Sequence, residues 1–382
     1  GQATWAYLNS YTPAGGAAGD NAVPYSGISY VYAQDYDLGD NAQIENHNFE
    51  VQGPLAYSVA TSTPDADPRD ILSDWLINPR YGADFPAQYL GNWSTWSTYC
   101  RANGLLLSPA LTEQSSAQDR MTTIAQITNS AVLWSEGMLK ILPFGDMAAT
   151  GNGVTYTPNT VPVYALDDDA FLYTDGEDPI IVTRSAQADA YNRVQVQFRN
   201  RANGYAVEVA EASDQANIDA YGMRAMPVIM ADWICDASVA KRVSQLLMQR
   251  ALYQRNQYQF TLPWTYGLLE PMDIVTLLDP VLLGVAPVPV RITQIDENDD
   301  DTLTVTAEDY LAGVSNTPLY GTQIGLGFAH DYNMAPGNIL APVFFEAPLE
   351  RTGTGLAVYA AVTGSGAAWG GCRVWVSLDG ST

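Results

Sequence analysis

Side-chain chemistry needs a few residue types held close together, and this sequence is poor in most of them. It has two histidines, His47 and His330, in unrelated segments. A zinc-binding helix, a Ser-His-Asp triad or a histidine-rich metal site therefore lacks local support. Neither a Gly-x-x-x-x-Gly-Lys-Ser/Thr phosphate loop nor a Gly-x-Ser-x-Gly elbow is present, which removes the usual parts of nucleotide-driven and hydrolytic chemistry. The three cysteines, Cys100, Cys235 and Cys372, are odd in number and far apart. They read as small buried hydrophobes, not as a disulfide framework or a zinc knuckle.

Paired carboxylates are the one catalytic class left open, because a glycosidase needs only two acids roughly 5 to 9.5 Å apart. Candidates are Asp167, Asp168 and Asp169, the group Asp175, Glu177 and Asp178, and Asp35 with Asp37. Consecutive acids are more often solvated turns. Tryptophans that could stack on sugars fall on apolar helical faces (Trp75, Trp96) or in strands (Trp134, Trp375), where core packing is the simpler account. Asp296, Asn298 and Asp300 imitate the start of a calcium loop, but Asp301 stands where the turn requires Gly and Ala307 where the bidentate Glu belongs. Asn92-Trp93-Ser94 matches a glycosylation sequon at a predicted helix start and reads as incidental. No metal, no cofactor and no catalytic residue is expected.

Charge narrows the partners. Across 382 residues, 42 Asp and Glu face 17 Lys and Arg, a formal charge of -25. Duplex binding is driven by cationic groups that release counterions, so a DNA-gripping role is disfavoured. A conduit through which DNA passes without sticking is compatible with the same repulsion. Candidate channel-lining acids are Asp167, Asp168, Asp169, Asp175, Glu177, Asp178, Asp296, Asp299 and Asp300. Basic residues concentrate at Lys241, Arg242, Arg250 and Arg255, either a solvated helix face paired with local acids or a candidate subunit interface.

The elements that must position these groups follow from periodicity and punctuation. The composition, 47% hydrophobic and 15% charged, is that of a globular chain, and its length predicts two to four packed units. No apolar run approaches the roughly 18 residues that span a bilayer, and the opening residues do not read as a basic n-region followed by an apolar h-region; a protein made in a reducing cytoplasm is expected. The first segment, 1–62, is β-rich, with strands at 28–32 and 48–51. A helical α+β segment, 63–145, starts at an Asp67-Pro68 cap with Ile71, Leu72, Trp75 and Leu76 on one face. A second helix from about Trp93 closes at Asn103-Gly104. A third starts near Ser116 and leads into a hairpin turning at Glu136-Gly137.

Segment 146–310 is β-rich, with strands at 194–198, 205–209, 257–262, 273–278, 290–295 and 302–307. One long helix, Asp236 to Tyr253, carries Val239, Val243, Leu246, Leu247 and Leu252 on its apolar side. It is expected to cover an antiparallel, barrel-like sheet. Residues 311–382 read as a linker and the start of a further β-domain; Arg373 to Leu378 reads as a strand followed by an Asp379-Gly380 turn signal, so the chain is expected to be cut from a longer one. The fold class expected is α+β, mainly antiparallel, in several domains.

Particular stretches also resemble a known family. Tyr25-Ser26-Gly27-Ile28-Ser29-Tyr30-Val31, then Asp37-Leu38-Gly39 and Gln43 to Val51, is similar to a recurrent stretch of phage tail proteins, with Glu45 where those often carry Pro. Asp70-Ile71-Leu72 running into Asn78-Pro79-Arg80-Tyr81-Gly82, Tyr99-Cys100 and Leu139 to Pro143 continue the likeness. So do Tyr191 to Val196, Leu268 to Val275 with Pro271-Met272 in place of the usual Gly, and Trp369 to Cys372 with Val376 to Gly380. Each motif is weak alone, but their order is specific and extends over most of the chain. It resembles the tail-hub and baseplate-hub proteins of long-tailed phages and gene transfer agents, including host-specificity proteins of lambda-like tails. The resemblance implies a homotrimer closing the distal end of a tail tube, without catalytic residues in this region. Implied partners are the tube, other tail-tip proteins, host-binding fibres or receptor-binding domains, DNA only as passing cargo, and the host envelope. A carbohydrate-active or receptor-binding tail module is the alternative.

Overall fold

A computed structural model describes residues 64–111, 115–173 and 176–314, most of 337–377, residue 380 and scattered positions before 64. The chain forms two compact units, 1–52 and 53–382. Of the first, residues 47 and 49–52 are irregular, with Phe49 and Val51 exposed, so no strand forms over 49–51; the expected strand at 28–32 lies outside the described residues.

In the second unit, α1 (Pro68–Ile77) begins where the Asp67 carboxylate accepts the Arg69 backbone N–H at 2.9 Å, with Pro68 in the first turn. Its buried face is Ile71, Leu72, Trp75 and Leu76. Pro79 cannot continue a helix, and the chain reverses through Asn78-Pro79-Arg80-Tyr81-Gly82, where the Gly82 N–H donates to the Asn78 carbonyl at 3.0 Å. A Cβ on Gly82 would stand 1.8 Å from the Trp75 carbonyl oxygen, a backbone atom that cannot swing aside. Gly82→Ala is therefore expected to cost about 2 kcal/mol through overpacking. A urea midpoint unchanged from wild type would show that the reversal opens freely.

Of two further helices, α2 (Ser94–Asn103) and α3 (Ala117–Ile127), the second starts and the first stops on the expected signal: Ser116 Oγ accepts the Asp119 N–H at 3.1 Å, and Gly104 closes α2 with a left-handed backbone. The hairpin β1 (Ser130–Ser135) and β2 (Met138–Pro143) turns at Glu136 and Gly137, φ 53° and 72°, the backbone of a type I′ turn. A small hairpin follows, β3 (Ala149–Gly151) and β4 (Val154–Tyr156).

Beyond it run β5 (Tyr164–Leu166), β6 (Ile180–Arg184), β7 (Arg193–Asn200), β8 (Ala206–Ser213), α4 (Gln215–Tyr221), β9 (Ile229–Met230) and α5 (Ala237–Tyr253). The strands β10 (Asn256–Pro263), β11 (Ile274–Leu277), β12 (Val288–Glu297) and β13 (Thr302–Asp309) complete the central part. A six-stranded half-barrel has the order β5-β11-β12-β13-β10-β6, antiparallel except for the parallel β5–β11 pair. A three-stranded sheet has the order β8-β7-β9. The fold is α+β, as expected.

The long helix does not cover the barrel-like sheet. Val239, Val243 and Leu246 of α5 pack with Val194, Val196 and Phe198 of β7, in one core with α1, α2, α3 and β2. The half-barrel closes over a second core of its own, including Leu166, Phe171, Phe260, Val275, Val290 and Val305. Alternation explains both: each sheet has one apolar face, and that of the half-barrel is filled by its own strands together with Ala170 and Phe171.

The last described pair, β14 (Val343–Glu346) and β15 (Val358–Ala361), is an antiparallel hairpin. Described residues of 371–377 form no strand, and Val374 and Val376 are exposed, against the expectation for Arg373 to Leu378. An alternating pattern becomes a strand only where its backbone finds a partner.

Candidate functional site

The basic residues of α5 work inside the chain. Lys241 Nζ donates to the Glu211 carbonyl on β8, and Arg242 Nη1 donates to the Asn103 carbonyl at the end of α2, at 2.8 Å. Arg250 donates to both Glu308 oxygens on β13 at 3.1 Å. Arg255, just past the helix, is partly buried and its carbonyl accepts the Ser185 N–H at 3.0 Å. From Ser238 to Leu252 every residue of α5 is buried or partly buried. The cations thus tie the helix to three neighbours.

Arg250 also marks the joint between the two cores. Its guanidinium lies 3.3 Å from the Phe144 ring centroid, and the Arg291 guanidinium of β12 lies 5.4 Å from the same ring and 4.9 Å from that of Tyr310. Arg291 Nη1 donates to the Phe144 carbonyl at 3.1 Å. Burial lowers the pKa of both arginines, opposed chiefly by the Glu308 carboxylate. Ring faces and a shared carboxylate let two buried cations coexist.

The acids divide between opposite ends of the half-barrel. Ile180 of β6 pairs with Phe260, three residues before Pro263, which pairs with Thr302. Glu177 and Asp178, just before β6, therefore lie toward the end that carries the 298–301 turn, with Asp296, Asp299 and Asp300. Leu166 pairs with Leu277, which pairs with Val288 at the start of β12. Asp167, Asp168 and Asp169 consequently lie at the other end. All eight are exposed, and Asp175 is outside the described residues. Asp296 accepts from Gln294 Nε2 and Asp300 from the Thr302 hydroxyl, contacts that shape the turn. Among the described residues no three His, Cys, Asp or Glu side chains gather as a metal site, and no helix is long and apolar enough to cross a membrane.

Sequence reasoning missed one carboxylate pair. A cavity of about 220 Å³ is lined by Glu270, Asp273, Arg291, Tyr156 and Met272 among others. Burial alone would raise the Glu270 carboxyl, but Lys140, at 2.9 Å, and the Ser135 hydroxyl outweigh it and hold its pKa below the ordinary value. Burial raises Asp273, whose carboxylate accepts the Glu270 backbone N–H at 2.9 Å. Divergent pKa values in two neighbouring acids are the pattern of an acid/base pair. Here, though, both carboxylates are held by the chain: Glu270 anchors the β1–β2 hairpin, and Asp273 closes the turn through Met272, a non-glycine at φ 79°. The only sequence signal was the Pro271-Met272-Asp273 turn.

Residues 116–295 match the family described as "Putative phage tail protein". No curated protein matches the sequence. Several solved structures align with parts of the chain. A chain in the virion of a native gene transfer agent particle is 17% identical with a TM-score of 0.44, the alignment covering 66% of this chain and 57% of that one. A 43 kDa tail protein of prophage MuSo2 from Shewanella oneidensis is 14% identical, TM-score 0.34, covering 54% and 57%. A tail protein of Neisseria meningitidis is 11% identical, TM-score 0.36, covering 55% and 60%. The chain thus spans little more than half the length of these structures. The family match is to phage tail proteins, the class that the ordered motifs resemble.

Proposed function

We infer that this chain, whose segment 116–295 matches a family of phage tail proteins, is a structural protein of a phage-type tail. More narrowly, we propose that it is a tail-tip hub: a homotrimer at the distal end of the tail tube that links the tube to host-binding parts and lets DNA pass as cargo, assembled in the bacterial cytoplasm. The observation that carries the reading is the family match, which runs from α3 to β12 and so takes in elements of both cores. The net charge of -25 supports a wall that does not retain DNA.

Gold-labelled antibody against the chain, applied to particles purified from producing cells, is expected to mark the tail end distal to the capsid. Label along the whole shaft, or none on the particles, would sink the hub reading. The chain is proposed to have no enzymatic activity. The rival carbohydrate-active reading draws on the Glu270–Asp273 pair, and polysaccharide or peptidoglycan turnover abolished in Asp273→Asn would favour it instead.

A further inference from the structure

Apolar side chains at 90% and 88% exposure are unusual, and Val281 and Val285 stand that far out on the loop joining β11 to β12, with Leu282 beside them. Single exposed hydrophobes need no explanation, but a cluster on one loop does. From Leu278 to Val290 the sequence holds one charged residue, Asp279, and that one is consumed by the turn. Its carboxylate accepts the Val281 and Leu282 N–H groups at 2.9 and 3.0 Å, and its carbonyl those of Leu283 and Gly284 at 2.9 and 3.1 Å. Gly284, at φ 94°, allows the return. Leu283 points the other way and packs against the half-barrel core. The loop is thus a built turn, anchored inside by Leu283, that holds Val281, Leu282 and Val285 outward.

Its surroundings limit what it can meet. The Leu278 N–H donates to the Leu166 carbonyl at 2.8 Å, so the exposed Asp167, Asp168 and Asp169 adjoin the stem of the loop. Three carboxylates at the stem of an apolar loop repel an anionic lipid surface. They also disfavour a second copy as the partner, since it carries the same net charge of -25.

We propose that the 279–287 loop is a plug that docks into an apolar pocket rimmed by Lys or Arg on another protein of the tail, the rim pairing with Asp167, Asp168 and Asp169. This rests on the tail role inferred above. Apolar burial supplies the affinity, and the acids supply orientation and salt dependence.

The test uses the full chain in particle-producing cells, with a photo-crosslinking residue at position 285 and, separately, the double variant Val281→Asp with Val285→Asp. Both sites are exposed, so the variant should keep the wild-type urea midpoint. Expected is roughly a hundredfold weaker incorporation into particles, and a crosslink mapped to an apolar segment of one tail protein flanked by Lys or Arg. Asp167→Lys, Asp168→Lys and Asp169→Lys together should also reduce incorporation and abolish its salt sensitivity. Equal incorporation of the Val281→Asp, Val285→Asp variant overturns the plug, as does a crosslink to a second copy. Binding of the wild type, but not the variant, to phosphatidylcholine–phosphatidylglycerol vesicles would overturn it in favour of a lipid surface. Absence of the wild-type chain from particles would instead defeat the tail role itself.

Discussion

Trp96→Ala is expected to lower the unfolding free energy by about 4 kcal/mol, within the range for large aromatic truncations in cores. The indole is fully buried in the first turn of α2 and meets Trp93 edge-on, centroids 6.0 Å apart at 87°. Its Nε1 donates to Thr128 Oγ1 at 3.2 Å, while Trp93 Nε1 donates to the Leu139 carbonyl at 2.9 Å. The pair therefore clamps α2 to the end of α3 and to β2. Truncation leaves a cavity at this junction and removes a buried hydrogen bond. Trp96→Phe keeps much of the ring and should cost about 1 to 2 kcal/mol, mostly for the lost N–H donor. Trp264, half-exposed, serves as control: its alanine variant should stay within about 0.5 kcal/mol of wild type. Urea unfolding at neutral pH reads all three, and equal midpoints for the Trp96 and Trp264 alanine variants would contradict the core assignment.

Arg250→Ala should cost about 3 kcal/mol or more, because removing one partner of a buried pair leaves an uncompensated charge. The stranded group is Glu308, whose side chain is 16% exposed, and the Phe144 face is left without its closest cation. Arg250→Lys keeps the charge but loses the two-pronged grip on Glu308 and the flat stack on Phe144. It should fall between wild type and alanine. Changing both partners, Arg250→Met with Glu308→Leu, should recover only part of the loss, since that pair no longer has to be desolvated but the buried Arg291 loses the carboxylate it shared. A double variant no more stable than Arg250→Ala would show that the ion pair is not what joins α5 to β13.

The elements were largely legible because their signals are local. Asp67, Ser116 and Asp236 each cap the helix they were read to start, with side-chain oxygens accepting N–H groups two or three residues on. The 194–198 alternation became a strand buried on one side, with Val194, Val196 and Phe198 inward. Glu136-Gly137 turned as its residues dictate. Less legible was the partner of each element. Nothing within the sequence of α5 distinguishes packing on β7 and β8 from packing on the half-barrel, because an apolar stripe specifies burial and not against what.

The candidate surfaces show the same division. Residue types alone determined that the chain is acidic, lacks the common catalytic motifs and keeps its acid runs in solvated turns. Tertiary structure decided that Lys241, Arg242 and Arg250 are spent on Glu211, Asn103 and Glu308, partners 30 to 139 residues away in the chain. It also decided that 167–169 and 177–178, neighbours in sequence, lie toward opposite ends of one sheet, and that Glu270 and Asp273 share a cavity with Arg291. The physical reason is range: capping, turn geometry and periodicity act over a few residues. Charge pairing and strand register are instead set by segments that meet only when two separate cores close.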